Sequence, residues 1–346
     1  MNEKFTYQDP KTGYTITQYT KGPHSNTKLY FTTENFTSDD QFFFFNKEAS
    51  SNGNTPGSEL HRAHVESGEI EKVADSEYTG FAMSRNEDYG VMTKGDIVCR
   101  YDVKDNKITE IGALPKGGRI TGHLTTSKSG LIVCSYHQAN KIFALVVMDP
   151  KTGKSEVVHQ SDYHLGHCQA CPGDDETIFY IHETMGDALQ RMWMFNTRTG
   201  ENRPYYVEQE GDWITHEVWS ADGEYMIFMR LPHEVKIGTK DGYNFRTITH
   251  NNHHMLHPGV SRDMQWFCAD SINYWDYSKD ECGIWLINGE TGGLRFLAST
   301  GAPATGNDHQ HPSFNHKGDK ILFSNPDHET GVSQVALIDL NQVERP

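Results

Sequence analysis

Two histidines stand one residue apart near the end of the chain, in "TGNDHQHPSFNHKGDKILFSN" (305–325), and a third, His257, opens "HPGVSRDMQWFCAD". Imidazole is the commonest protein ligand of borderline divalent cations and the usual general base near neutral pH, so the placing of such residues decides what chemistry is open to the chain. There are 19 histidines against 31 lysines and arginines together, enough to ask whether they are scattered or placed. They are placed. The turn clusters "SKSG" at Ser127, "SADG" at Ser220, "SRDM" at Ser261 and "NHKG" at Asn315 begin four residues after His123, His216, His257 and His311, and His167 stands five residues before "PGDDE" at Pro172. One histidine before a strand is an ordinary turn residue bonding a backbone group. A set in one phase is a site.

The phase has meaning only through the elements that carry it. Helical periodicity is poor throughout, whereas short apolar or alternating runs recur between Gly, Asp and Asn clusters: "QFFFFN", "GLIVCSY", "ETIFYIHE", "EYMIFMR", "QWFCAD", "KILFSN". That is the pattern of an all-β chain. With "TSDD" at Thr37 and "SRNEDY" at Ser84, the turn clusters make seven units, spaced as the four-stranded blades of propellers are. The expectation is a single seven-bladed β-propeller domain over 1–346. The leading segment "GYTITQYT" should supply the outer strand that the last unit lacks, closing the ring and removing a sheet edge. Two stacked β-sandwiches, the competing architecture, would need a linker near the midpoint, and none is present.

In a propeller, one phase of successive blades is a ring about the axis. This phase precedes the second strand of each blade, so it falls at or near the innermost strand and the mouth of the channel. His216, His257 and His311 are then expected on one axial face, joined by His309 because side chains two apart on a strand share a side. Three or four neutral imidazoles at one point suit Mn²⁺, Zn²⁺ or Fe²⁺. Glu217, next to His216, is expected to face away by the same alternation.

Composition narrows the partners. A formal net charge of −16 argues against nucleic acid or anionic membrane, so an anionic substrate would need a dedicated cationic site. No apolar run is long enough to span a bilayer, and "MNEKFTYQDPKTGYT" lacks a signal peptide's apolar core, so a cytoplasmic protein is expected. The six cysteines suggest no disulfide framework, and the lone C-x-x-C of Cys168 and Cys171 is weak as a metal or redox motif. No G-x-S-x-G, P-loop, dinucleotide-binding glycines or H-E-x-x-H occurs.

"LGHCQACPGDDETIFYIHE", "QRMWMFN", "THEVWSADG", "HPGVSRDMQWFCAD" and "HQHPSF", in that order, resemble the oligogalacturonate lyases, a pectin-degrading polysaccharide lyase family built on a seven-bladed propeller. The likeness covers the C-terminal half from about Gly166. It implies Mn²⁺-supported β-elimination of short 4-linked uronate oligomers to 4,5-unsaturated or keto-deoxy uronates. Metal ligands would be His257, His309 and His311, the base His216, and the arginine facing the substrate carboxylate Arg191. The family's glutamine ligand should stand where this chain has Gly306, leaving Asn307, Asp308, Gln310 or water to complete the shell. His123, His167 and Gln169 are expected to contact substrate. Two other readings fit the repeat: a non-catalytic propeller scaffold, and a metal-dependent hydrolase or epimerase.

Overall fold

The apolar runs all form strands, and within each sheet every strand pairs with its neighbours in sequence except where the chain closes on itself. The structure is a computed structural model describing residues 3–48, 58–85, 88–138, 141–183, 188–272, 282–305 and 308–346. Seven antiparallel sheets follow one another as the blades of a propeller: 26–74, 78–113, 118–161, 165–204, 214–250 and 255–299 are four-stranded, and the seventh combines 313–339 with the N-terminal residues. Among the described residues no helix is long and apolar enough to cross a membrane.

The middle strands of a blade are covered on both faces by adjacent blades, which is why Phe42–Glu48, Tyr225–Arg230 and Trp266–Ser271 read as continuous apolar stretches. Between the fifth and sixth blades, Val218, Ile227 and Met229 pack against Phe267, Ala269 and Ile287, and burying each larger side chain contributes about 1.5–3 kcal/mol. The core is therefore divided into wedges, one between each pair of blades. The predicted turn clusters join the first strand of a blade to the second. They are self-contained: Thr37, Ser220 and Ser261 donate through Oγ to Asp39, Asp222 and Asp263 at 2.6 Å.

Closure follows expectation and then exceeds it. Thr15–Gln18 pairs with Ser333–Asp339, with Ile16 opposite Ile338 and fully buried. A further strand, Phe5–Gln8, adds outside it, so this sheet has five strands. The turn between the two is pinned to the sixth blade, because Asp9 Oδ2 accepts from both the backbone N–H and Oγ of Ser299.

Candidate functional site

The innermost strands are the first strands of each blade, and they are not regular. Pairing slips between Thr79 and Ala82, Thr121 and Thr125, Gly166 and Gln169, Thr215 and Val218, and Met255 and Pro258, so a β-bulge recurs at one level of five blades. His167 (φ 45°) and His216 (φ 58°) occupy the left-handed region within these bulges, and His311 (φ 46°) does so just before the strand Ser313–Phe314. Few non-glycine residues adopt that conformation, and a bulge re-aims the side chain it carries. Three of the five phased histidines, His167, His216 and His311, thus carry the kink themselves.

His257, His309 and His311 come together so that one ring nitrogen from each lies within 4.8 Å of the others, an arrangement able to hold a metal ion. His309 and His311 meet there for a reason other than strand alternation, since the segment is irregular and His311 is left-handed. Asp270, on the second strand of the sixth blade, organises two of the three. Its Oδ2 accepts from His257 Nδ1 at 2.7 Å and from the His311 backbone N–H at 3.0 Å, and its Oδ1 accepts from the His257 backbone N–H at 2.8 Å. The carboxylate therefore fixes the proton of His257 on Nδ1 and leaves Nε2 with its lone pair free. Burial, reinforced by the neighbouring imidazoles and Lys28, holds His257 and His311 well below the usual histidine range, so both are neutral. Lys28 is buried beside this group; burial lowers its ammonium to about 7 against the opposing field of Cys268 and Asp270.

His216 lies against the triad, its ring centroid 4.1 Å from that of His257. No carboxylate orients it: its Nδ1 is buried without a hydrogen-bond partner among the described residues. Burial, with the imidazole of His257 close by, places it well below the usual range too. The centre of the cluster is filled from the first blade. Phe31 packs on His216, His257 and His311 at 6.2, 5.3 and 5.9 Å, and Tyr30 reaches His123, His167 and His311 at 5.7, 5.9 and 5.0 Å. Thr32 Oγ1 hydrogen-bonds His123 Nε2 at 2.9 Å.

Beside the cluster a cavity of about 470 Å³ opens between the third and fourth blades, lined by Tyr30, His123, His164, His167 and Glu183. Glu183 lies 3.6 Å from both His167 Nε2 and Arg191 Nη1, and Arg191, 7 % exposed, donates from Nε to Ile214 O at 3.0 Å. Glu217 is buried nearby with neither carboxylate oxygen bonded among the described residues; burial raises it to about 7 despite the opposing charge of Arg191.

The structure brings together His216, His257, His309 and His311, sets His123 and His167 at the cavity, and places Arg191 behind Glu183. It does not bring Gln169 there. That side chain lies deeper in the channel among Thr32, Arg85 and Trp219, its amide donating to Glu217 O, because the bulge at His167 shifts the strand beyond it. Glu217 lies with His216 in the slip between Thr215 and Val218, and its carboxylate makes no hydrogen bond to that imidazole among the described residues. Asp308 is occupied by Ser25 and Thr305, and Gln310 donates to Thr300 Oγ1, while Gly306 and Asn307 lie outside the described residues. Cys168 and Cys171 are buried in different wedges of core, and burial pushes both thiols up. Asp270, Lys28, Tyr30 and Phe31 escaped the sequence reading. Asp270 sits in "FCAD", whose only signal is an acid ending an otherwise apolar run.

Residues 132–261 match the family model described as oligogalacturonate lyase, a span that begins before Gly166 and stops short of His309 and His311. An oligogalacturonide lyase of Pectobacterium atrosepticum is 35% identical over 95 residues, which is 27% of this chain and 24% of that relative. Over the whole chain the fold is shared with the crystal structure of an oligogalacturonate lyase from Vibrio parahaemolyticus (TM-score 0.85, 19% identity, covering 99% of this chain and 98% of that one). An oligogalacturonate lyase solved in complex with manganese superposes equally well (TM-score 0.84, 20% identity, 98% and 96%). The resemblance read from the motifs is thus found by family model, relative and fold.

Proposed function

We propose that the chain is a lyase that cleaves short 4-linked uronate oligomers, oligogalacturonates in the first instance, by metal-assisted β-elimination. The observation that carries this is the imidazole cluster: three neutral histidines able to share a cation, and a fourth, His216, against them with no carboxylate partner among the described residues.

The donor set fits a borderline divalent ion. Three imidazoles converge, the proton of His257 is held on Nδ1 by Asp270, and the cluster is uncharged at neutral pH, as ligands must be. Mn²⁺ is the ion named for the structural relative with a similar fold. Bound by His257, His309 and His311, it would supply Lewis-acid neutralisation of the substrate carboxylate next to C5.

The chain's own residues do the rest. Arg191 adds a planar cation for that carboxylate, its 3.6 Å contact with Glu183 being long enough to give way to a second acceptor. With charge drawn into the carboxylate the C5 proton becomes acidic enough to leave, and His216, neutral because burial and His257 disfavour its cation, takes it. The C5–H electron pair becomes the C4=C5 bond as the C4–O bond breaks, and the departing oxygen takes a proton from solvent in the cavity. His123 and His167 line the space where the sugar ring would lie.

The test is to strip the protein of metal, add digalacturonate, and follow the ultraviolet absorbance of the conjugated unsaturated product before and after Mn²⁺ is restored. Product formation only with the ion is expected. Metal bound with no elimination on any uronate oligomer would overturn the reading.

A further inference from the structure

The innermost strands that carry the imidazoles run on, two to five residues later, towards the other end of the channel and into the turns that follow them. There Trp219, Arg262, Ser313 and His316 from the last three blades meet Thr33, Glu34 and Asn35 from the first and Arg85 from the second, around a cavity of about 50 Å³. Phe31 separates it from the histidines, since the same ring lines this cavity and packs on His216, His257 and His311.

Four of the lining residues hold a buried polar atom with no hydrogen-bond partner among the described residues: Trp219 Nε1, Thr33 Oγ1, Ser313 Oγ and Asn35 Oδ1. Trp219, Asn35 and Thr33 are 1, 2 and 7 % exposed, so solvent at the surface does not serve them. Groups so placed cost stability unless something enters to bond them. The cavity exceeds the space of one water and is too small for a sugar ring. Three of the four atoms can donate, and the indole can do nothing else.

The charges point the same way. Glu34 is the one carboxylate of the lining among the described residues, and its oxygens are already shared among Arg262 Nη2 and His316 Nε2 at 3.2 Å and Arg85 Nη1 at 4.0 Å. Burial pushes Glu34 up, yet the His316 hydrogen bond and the two guanidiniums outweigh it and hold it at about 2. His316 is raised by Glu34 against its own burial. Asp40 faces this group from outside, accepting from the His316 backbone N–H and from Asn315. Two arginines and a histidine thus meet a single carboxylate in the lining of a chain that is otherwise strongly acidic.

We propose that this end of the channel is a small-oxyanion site, taking a free phosphate or the carboxylate of a sugar acid between Arg85, Arg262 and the Trp219 indole. The site does not depend on the lyase reading. Arg262, 37 % exposed, forms the rim through which the anion enters.

Calorimetric titration of inorganic phosphate, and separately of galacturonate, into the metal-free full chain tests this, with Trp219→Phe and Arg262→Ala alongside. Arg262 is on the rim and phenylalanine keeps the packing of an aromatic ring, so both variants should fold, which circular dichroism checks. Each should weaken binding roughly tenfold or more, the effect of removing one hydrogen bond to a charged group. Phosphate binding that galacturonate displaces supports a general oxyanion site. Binding of galacturonate alone, weakened in both variants, supports the sugar-acid source. Affinity unchanged in both variants, or no binding of either anion together with a bromide-soaked crystal showing only water in the cavity, would overturn it.

Discussion

The sixth and seventh blades hold their imidazoles differently from the fourth. His257 and the His311 backbone are tied to one buried carboxylate by three hydrogen bonds of 2.7–3.0 Å. Across the cluster, His167 and Arg191 each approach Glu183 at 3.6 Å, and His167 and Glu183 face an open cavity with Arg191 behind them. Short bonds from a buried acceptor fix tautomer and direction, which is what an ion requires of its ligands. Longer contacts between groups that can each find another partner suit a surface that must exchange its own ion pairs for those of a substrate. On the proposed function, the difference separates a side that would hold the ion from a side that would receive the substrate, with His216 against the first.

The sharpest way to break this comparison is to remove one residue from the holding side. His257→Ala should abolish bound metal and activity together, lowering turnover by at least roughly 10³-fold, more than a positioned base alone commonly contributes. Metal stoichiometry and turnover on the same preparation check it, and retention of the metal would show that His257 is not a ligand. His216→Ala is next, with turnover down roughly 10²–10⁴-fold while metal content stays near wild type. Loss of metal in that variant would mean that base and ligand have been exchanged.

Asp270→Asn tests the tether without touching a ligand. Metal affinity should fall roughly 10–100-fold, and excess Mn²⁺ should restore much of the activity by mass action, which a titration reads directly. The smallest effect belongs to the receiving side. Because burial raises Glu217 to about 7 from 4.5, the folded chain keeps a proton between those values that the unfolded chain has released, so stability falls as pH rises through that window. Glu217→Gln should therefore be more stable than the parent above pH 7, by about 1–3 kcal/mol, and indistinguishable from it near pH 4. Denaturant melts at the two pH values check the sign. A loss of stability at high pH would show that the carboxylate is needed there as an anion beside Arg191.

What could be read without a structure was what repeats. The turn clusters are built from local hydrogen bonds such as Ser220 to Asp222, so their spacing marks the blades directly, and the strand that closes the ring shows itself as a unit without a partner. The phase of the imidazoles was legible for the same reason. What escaped depends on contacts between distant segments. Asp270 reaches His257 and His311 from another strand, and Tyr30 and Phe31 arrive from the first blade, far away in sequence. The bulges were invisible because nothing in "GHC" or "THE" announces a left-handed histidine. The bulge at His167 is also why Gln169 turns to Glu217 O and not to the cavity.

The bulge has a wider meaning. It recurs in blades whose chemistry differs: the second and third place Gly80 (φ 66°) and Gly122 (φ 86°) at the kink, where the fourth and fifth place His167 and His216. The left-handed position therefore works as a socket, a backbone fitting that accepts either a bare hydrogen or an imidazole. A propeller with such sockets around one axis can gain or lose a catalytic group by a single residue exchange, blade by blade, without renegotiating its core. The second blade is already vacant in this sense, although the Ile120 side chain would have to move aside for anything larger than glycine at Gly80.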